Sequence, residues 1–235
     1  MTKKLVIIMP AYNEEATIVR SIRRVLSARI KGVSVNLVVI DDGSTDRTKK
    51  ELVKIKNKRI RVLSHRHNLG KGAAIRAALE KTKGDIFVIQ DADLEYDPND
   101  YVAVIKPILD GKTEVVNGVR IQPERDERRK KSLYWISWFA NHTITWLTNI
   151  LYFHYSKEYE GCYKAFTKKL IDSIEVKTNN FDFDNELICK ILKRGYKIID
   201  VPIRYYPRSY EEGKKINWKH GFLILWTIIR QRFTD

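Results

Sequence analysis

Two cysteines in 235 residues, Cys162 and Cys189, are too few and too far apart for a paired zinc spacing, and reduced thiols in a reducing cytosol are the simple reading. No stretch reaches the roughly 18 apolar residues that span a bilayer. The first apolar run, Leu5–Met9, is stopped by Pro10 and is too short for the apolar core of a signal peptide. No internal repeat and no linker divides the chain, so one compact domain over residues 1–235 is expected. Acidic residues are in deficit: 29 Asp and Glu against 44 Lys and Arg leave a net charge of +15. Such a surface concentrates anions, whether nucleic acid, lipid headgroups or phosphorylated small molecules. No nucleic-acid motif is present, and carboxylates clustered at strand ends would repel a phosphate backbone in the absence of a metal, so nucleic acid is not an expected partner.

What is present alternates between two periods. Hydrophobic residues make up 43% of the chain, enough for a packed globule. Leu5–Met9, Val35–Ile40, Ile60–Leu63 and Ile86–Ile89 read as buried strands. Between them, Ile18, Ile22, Val25 and Leu26 recur at helical spacing, a helix runs to Leu52, and Lys71–Lys81 is an Ala-rich helix. Asn13 is expected to cap the first helix, with Glu14 and Glu15 in its first turn, and Ser44 or Thr45 the second. This order predicts an α/β fold, a Rossmann-like and mostly parallel central sheet flanked by helices. Beyond it, Gln122–Lys131 reads as a charged loop, and Leu187, Ile188, Ile191 and Leu192 as a helix. Lys197–Ile203 reads as a strand, and Phe222, Leu225, Trp226 and Ile229 as a helical stripe.

Polar clusters follow three of the strands: Pro10-Ala11-Tyr12-Asn13-Glu14, Asp41-Asp42-Gly43-Ser44 and Asp91-Ala92-Asp93. In an open parallel sheet the ligand crevice lies beyond the carboxyl ends of the strands, so the three converge on one site. On continuing strand geometry Asp91 and Asp93 point the same way, and two such carboxylates call for a cation, Mg²⁺ or Mn²⁺. A solvated turn is the plain alternative. Asp41 and Asp42 suit a nucleobase NH or a ribose hydroxyl, or equally an Asp-Gly turn. Asn68-Leu69-Gly70-Lys71-Gly72 opens a helix and either holds an anion by backbone N–H groups or is only a tight loop; it lacks P-loop spacing.

Taken together, these motifs, in this order and near these spacings, resemble family 2 glycosyltransferases of the GT-A fold, most of all the branch of dolichol-phosphate mannose synthases and other polyprenyl-phosphate glycosyltransferases. Asn117-Gly118-Val119-Arg120, Glu160–Phe166 and Glu211–Lys219 extend the resemblance over nearly the whole chain. It implies a nucleotide-sugar-binding part over 1–120 and an acceptor-side part over 121–235. Pro10, Tyr12 and Glu14 would hold base and ribose with Asp42 beside them, and Asp91 would contact the nucleotide. Asn13, Ile40, Lys71 and Ala92, in the same motifs, join this donor-binding set. Asp93 would bind the metal on the diphosphate, with Glu95 completing its shell. Arg120, Arg208 and Lys214 would handle phosphate groups of donor or acceptor. Gly161 and Cys162 replace a Ser-Gly common among mannose synthases, and His220 stands where an Asp is usual.

A lipid-phosphate acceptor is already anionic and needs cations rather than a base. A sugar-hydroxyl acceptor, as in surface polysaccharide synthesis, needs a carboxylate base, for which Asp182, Asp184 and Glu186 are the candidates; in a helix's first turn they would also simply complement its dipole. A nucleotidyltransferase would use a similar Asp pair but bind a triphosphate. Trp135, Trp138, Phe139, Trp146, Tyr152, Phe153 and Tyr155, after Arg128-Arg129-Lys130-Lys131, together with Trp218, Phe222, Trp226 and Phe233 among basic residues, predict amphipathic helices lying in a membrane interface, unless they pack inward or form a dimer contact. The expected location is cytoplasmic, at the inner face of the cell membrane as a peripheral protein.

Overall fold

A computed structural model describes residues 2–121, 133–208 and 218–234, the side chains of 133–137, 218 and 219 excepted. The charged loop 122–131, Lys214, Lys215 and most of the Glu211–Lys219 motif lie outside the described residues, as do the side chains of Trp135 and Trp218. In chain order the strands are β1 (Lys3–Ala11), β2 (Val33–Asp41), β3 (Ile60–Ser64), β4 (Ile86–Ile89), β5 (Val115–Ile121), β6 (Lys164–Thr167) and β7 (Ile198–Arg204). The helices are α1 (Ile18–Ser27), α2 (Thr48–Val53), α3 (Lys71–Lys81), α4 (Tyr101–Leu109), α5 (Leu133–Tyr152), α6 (Lys168–Asp172), α7 (Phe183–Lys193) and α8 (Trp218–Phe233).

The strands form one sheet in the order β3-β2-β1-β4-β6-β5-β7. Leu5–Met9 is fully buried, because β1 sits in the middle of the sheet with helices on both faces. The chain winds outward from β1 to β2 and β3, then returns to β4 on the other side of β1. That reversal opens a crevice beyond the carboxyl ends of β1 and β4. β6 runs antiparallel to both β4 and β5, and every other pair is parallel.

The first two helix starts differ from expectation. α1 begins at Ile18, and its N-cap Thr17 makes no side-chain cap bond. Asn13 instead sits at φ +50 and reaches across to the next strand end: its Oδ1 accepts from the N–H of Thr45 at 2.8 Å. Ser44 and Thr45 do not cap α2, which starts at Thr48; Asp46 accepts from the N–H of Thr48 there. The side chains read as local caps are used to tie two loops together.

α8 packs against α5 and α7 through a small second core of Ile144, Tyr152, Cys189, Ile224 and Ile228. Large aromatics usually point into such a core. On this pair Trp138, Phe139, Trp146 and Phe153 point outward along α5 and its end, and Phe222, Trp226 and Phe233 outward along α8. Trp146 and Trp226 are 63% and 60% exposed. No described helix is long and apolar enough to cross a membrane.

Candidate active site

The loops at the carboxyl ends of β1 and β2 are tied to each other by side-chain bonds. Ser44 Oγ accepts from the N–H of Asn13 at 3.0 Å, and Thr48 Oγ1 accepts from the N–H of Glu14 at 2.8 Å. Asp41 Oδ1 accepts from the N–H of Ser44, closing the turn. Gly43, at φ +70, touches the backbone of His67 so closely that a Cβ would lie 2.3 Å from a carbonyl carbon; only glycine fits. Pro10 and Ile40 are paired residues near the ends of β1 and β2, and Ala92 lies between Asp91 and Asp93, Ile40 and Ala92 being buried.

Asp42 is buried and its carboxylate is heavily used. It accepts from the N–H groups of Leu69 and Gly70 at 3.0 and 2.8 Å and faces His65 Nδ1 at 2.6 Å. It therefore holds the Asn68–Gly72 loop in place. The N–H groups of Gly72 and Ala73 both go to the carbonyl of Asn179. Of the two readings of the glycine loop, the structure favours the tight loop: these four N–H groups already have acceptors. Gly70 lies at φ +99, where a Cβ would fall 2.3 Å from that same carbonyl.

The job of this loop is to aim Lys71. Its Nζ lies 3.0 Å from Asp91 Oδ1 and 3.3 Å from Asp184 Oδ2, so α3, β4 and α7 meet at one ammonium. Burial works against the charge on Lys71, but Asp91 and Asp184 outweigh it and hold its pKa well above the usual range. Burial would likewise raise Asp91, yet Lys71 reverses the effect and its pKa is lowered. The other oxygen of Asp184, Oδ1, is buried without a hydrogen-bond partner. Asp182 accepts from Thr227 Oγ1 of α8 through Oδ2, its Oδ1 being buried and partnerless like that of Asp184, while Glu186 accepts from the N–H groups of Lys177 and Thr178 and from Lys190 and is structural.

Asp91 and Asp93 lie beyond the end of β4 at Ile89, near enough that the charge of Asp91 raises the pKa of Asp93. Asp93 also meets Glu95, whose N–H it accepts at 3.1 Å. Arg208, arriving from beyond β7, sits among three carboxylates: Nη2 is 3.2 Å from Asp93, Nη1 is 3.4 Å from Glu14, and Nε is 3.6 Å from Glu95. Burial, then Asp91 and Glu95, push the pKa of Asp93 up to about 8 against the pull of Arg208.

A divalent ion fits this donor set. Mg²⁺ typically takes one or two carboxylates plus substrate phosphates rather than an all-protein cage. Asp93 and Glu95 supply that number, and a positive group already lies against both. Among the described residues no cluster of three or more ligating side chains exists, so the diphosphate would have to complete the shell.

Arg120 stands apart from the expected phosphate role. Its guanidinium pairs with Glu158, with Nε–Oε1 at 2.6 Å, and lies 4.8 Å from the ring of Tyr205. Its fork is thus taken up by a carboxylate. Tyr12 and Glu14 lie at the site, Glu14 buried. Sequence reading missed the floor beneath the loop. Gln90 Oε1 accepts from the hydroxyls of both Tyr101 and Tyr163, and Gln90 Nε2 donates to the carbonyl of Asp91 at 2.8 Å. The thiol of Cys162 accepts from the N–H of Asp91, and Glu160 accepts from Asn185 beside Asp184. Tyr163 lies in the Glu160–Phe166 motif, but Gln90 and Tyr101 carry no motif that would join them to it in advance.

Comparison with known proteins gives the family and the fold. The model of glycosyl transferase family 2 matches residues 6–173. A UDP-N-acetylglucosamine–dolichyl-phosphate N-acetylglucosaminyltransferase of Methanococcus voltae is 26% identical over 97% of this chain and 96% of its own. An uncharacterised protein of Methanocaldococcus jannaschii is 27% identical over 97% of this chain and 92% of its own. Glycosyltransferase AglJ of Haloferax volcanii is 29% identical over 97% of this chain and 72% of its own. In fold, the chain is similar to glucosyl-3-phosphoglycerate synthase from Mycobacterium tuberculosis, crystallised with Mn²⁺, UDP-glucose and phosphoglyceric acid. The TM-score is 0.75, at 21% identity over 99% of this chain and 81% of that one. The chain belongs to glycosyl transferase family 2, and is an inverting glycosyltransferase of GT-A fold.

Proposed function

We propose that the chain transfers a hexose from a GDP- or UDP-sugar to a polyprenyl phosphate of dolichyl type, at the inner face of the cell membrane, with Mg²⁺ or Mn²⁺ on Asp93 and Glu95. The observation that carries the reading is the meeting of the Asp93–Glu95–Arg208 cluster and the Asp91–Lys71–Asp184 bridge at the crevice. The Methanococcus voltae relative, named for a dolichyl-phosphate acceptor, supports the lipid; the mycobacterial complex with Mn²⁺ and UDP-glucose supports metal and donor.

A bound metal would stabilise the charge that develops on the departing nucleoside diphosphate. The chain's own residues do the rest. Pro10, Tyr12, Asn13 and Glu14 form the wall for base and ribose, with Asp42 fixing the loop behind them. Asp91, anchored by Lys71 and by Gln90, positions the nucleotide end. Arg208 turns its fork to phosphate oxygens, a bidentate geometry that lysine cannot copy, and Lys214 follows it on the same segment. Arg120 contributes by orienting the strand end through Glu158. The outward aromatic faces of α5 and α8 suit the headgroup level of a bilayer, where Trp and Tyr concentrate and basic flanks meet anionic lipid.

The test is transfer from labelled GDP- and UDP-sugars to polyprenyl phosphate in anionic vesicles with Mn²⁺, with co-sedimentation at low and high salt. Product in the lipid phase and salt-weakened sedimentation are expected. No lipid product from any donor, or no sedimentation at low salt by folded protein, would remove the lipid reading.

The partnerless Oδ1 of Asp184 favours a second reading, a base for a sugar-hydroxyl acceptor. The two readings part on Asp184→Asn. With an ionised lipid phosphate, kcat should fall by no more than about tenfold, since no proton need be taken; with a hydroxyl acceptor the loss should be roughly 10² to 10⁴. Rates on the two acceptor types decide it.

A further inference from the structure

We infer that Arg208 is a place-holding cation: in the resting enzyme its guanidinium occupies the carboxylate cluster that a metal–diphosphate unit later claims, so that metal and diphosphate bind cooperatively and a metal alone binds poorly. The inference rests on the proposed reading of Asp93 and Glu95 as metal ligands.

The geometry is specific. One residue holds Glu95 from two directions: the backbone N–H of Arg208 donates to Oε1 at 2.9 Å, and Nε lies 3.6 Å from the same oxygen. Nη2 takes Asp93 Oδ2 at 3.2 Å, and Nη1 takes Glu14 Oε2 at 3.4 Å. Every branch of the fork therefore faces a carboxylate, and two of those carboxylates are the candidate metal ligands. Nη1 and Nη2 make hydrogen bonds, but the buried Nε makes none, so one donor of the fork is left without a matched acceptor. A guanidinium and a divalent ion cannot share this space. Unit charges about 4 Å apart in an effective dielectric near 20 repel by an amount equal to roughly three orders of magnitude in affinity. A diphosphate changes the balance, because it offers the displaced arginine bidentate anionic oxygens while completing the metal's shell. The chain just before Arg208 is anchored: Tyr205 forms a β-bridge with Tyr96, and the N–H of Tyr206 donates to the Glu95 carbonyl. The side chain can thus swing from carboxylate to phosphate without moving the strand.

Mn²⁺ binding to the full chain, followed by electron paramagnetic resonance and calorimetry, tests this, alone and with UDP or GDP, for the wild type, Arg208→Met and Arg208→Lys. Wild-type protein should bind Mn²⁺ at least about tenfold tighter with a diphosphate than without. Arg208→Met should bind Mn²⁺ alone at least about tenfold tighter than wild type and gain less from the diphosphate, although its turnover falls. Arg208→Lys, keeping the charge without the fork, should fall between, and serves if the methionine variant does not fold. A merely structural arginine, once removed, would leave Mn²⁺ affinity unchanged or lower it. If wild type gains Mn²⁺ affinity with a diphosphate but neither variant gains it alone, the place-holder is overturned and the metal site stands. If wild type binds no Mn²⁺ with either diphosphate, the metal reading falls and takes this inference with it.

Discussion

Asp93→Asn is expected to cut transfer at least ~10³-fold while leaving the metal-free protein at least as heat-stable as the wild type. The loss follows from the position of Asp93: it is the carboxylate that faces Glu95 and Arg208 at the crevice, and an amide is a poor ligand for a hard divalent ion. The retained stability follows from its cost. Burial and two neighbouring carboxylates raise its pKa to about 8, far above its value of 3.8 in an ordinary setting. Between those two values the folded state binds a proton that the unfolded chain has released. Stability must therefore fall as pH rises across that window. At pH 7 this penalty is on the order of a few kcal/mol, and the uncharged amide removes it. Melting curves of metal-free protein from pH 5 to 8 should fall less steeply for Asp93→Asn than for wild type. Added Mn²⁺ with UDP or GDP should raise the wild-type melting point but not the variant's. A variant that turns over normally, or melts well below wild type without metal, would contradict this account of the site.

Regular elements with long periodic stretches were legible in the chain. The helix Lys71–Lys81 and the strand Ile86–Ile89 appear with the limits their patterns suggest. β1 and β2 extend a residue or two beyond their apolar runs, since their pairing with each other continues past them at both ends. β5 and β6 were not read as strands. β6 has four residues, and its first, Lys164, is a buried lysine that donates to the carbonyls of Tyr159 and Gly161. A charged residue breaks an apolar pattern, and nothing local announces that its ammonium finds two carbonyls. The same limit applies at the site. Which loops meet was readable from their place at strand ends. Which side chains were already spent was not, because the partners are remote: Asp42 on the Leu69–Gly70 backbone, Arg120 on Glu158, Asn13 on Thr45. The net charge of +15 is also only partly a property of the crevice. Lys4, Lys58, Arg59, Arg61, Lys81 and Lys83 line a groove on the side of the amino ends of β1 and β2, on the far side of the sheet from the chemistry.

Lys71→Met should be among the most destabilising single changes in the chain, and its pH dependence should identify the reason. Among the described residues, Lys71 is the cation that both Asp91 and Asp184 touch, with side chains largely withdrawn from water. Removing one partner of a buried pair leaves an uncompensated charge and costs roughly 3–5 kcal/mol. For a chain of this size that corresponds to a melting point lower by about 10 °C. In the wild type the lowered pKa of Asp91 contributes stability above about pH 4, lost only as pH falls through its folded value. Without Lys71 the burial of Asp91 is opposed only by the weaker pulls of Cys162 and Lys164, and its pKa moves up. The variant then takes up a proton on folding, so its stability should rise as pH is lowered from 8 to 5, the reverse of the wild-type trend for this group. The gap between the two proteins should therefore be smaller at pH 5 than at pH 8. Combining Lys71→Met with Asp91→Asn should recover a substantial part of the loss, since the two residues touch and their effects cannot add. Donor binding should be lost in the double variant if Asp91 contacts the nucleotide as proposed. If the single variant were equally destabilised at both pH values and the double variant fared no better, the Lys71–Asp91–Asp184 bridge would be packing rather than charge balance.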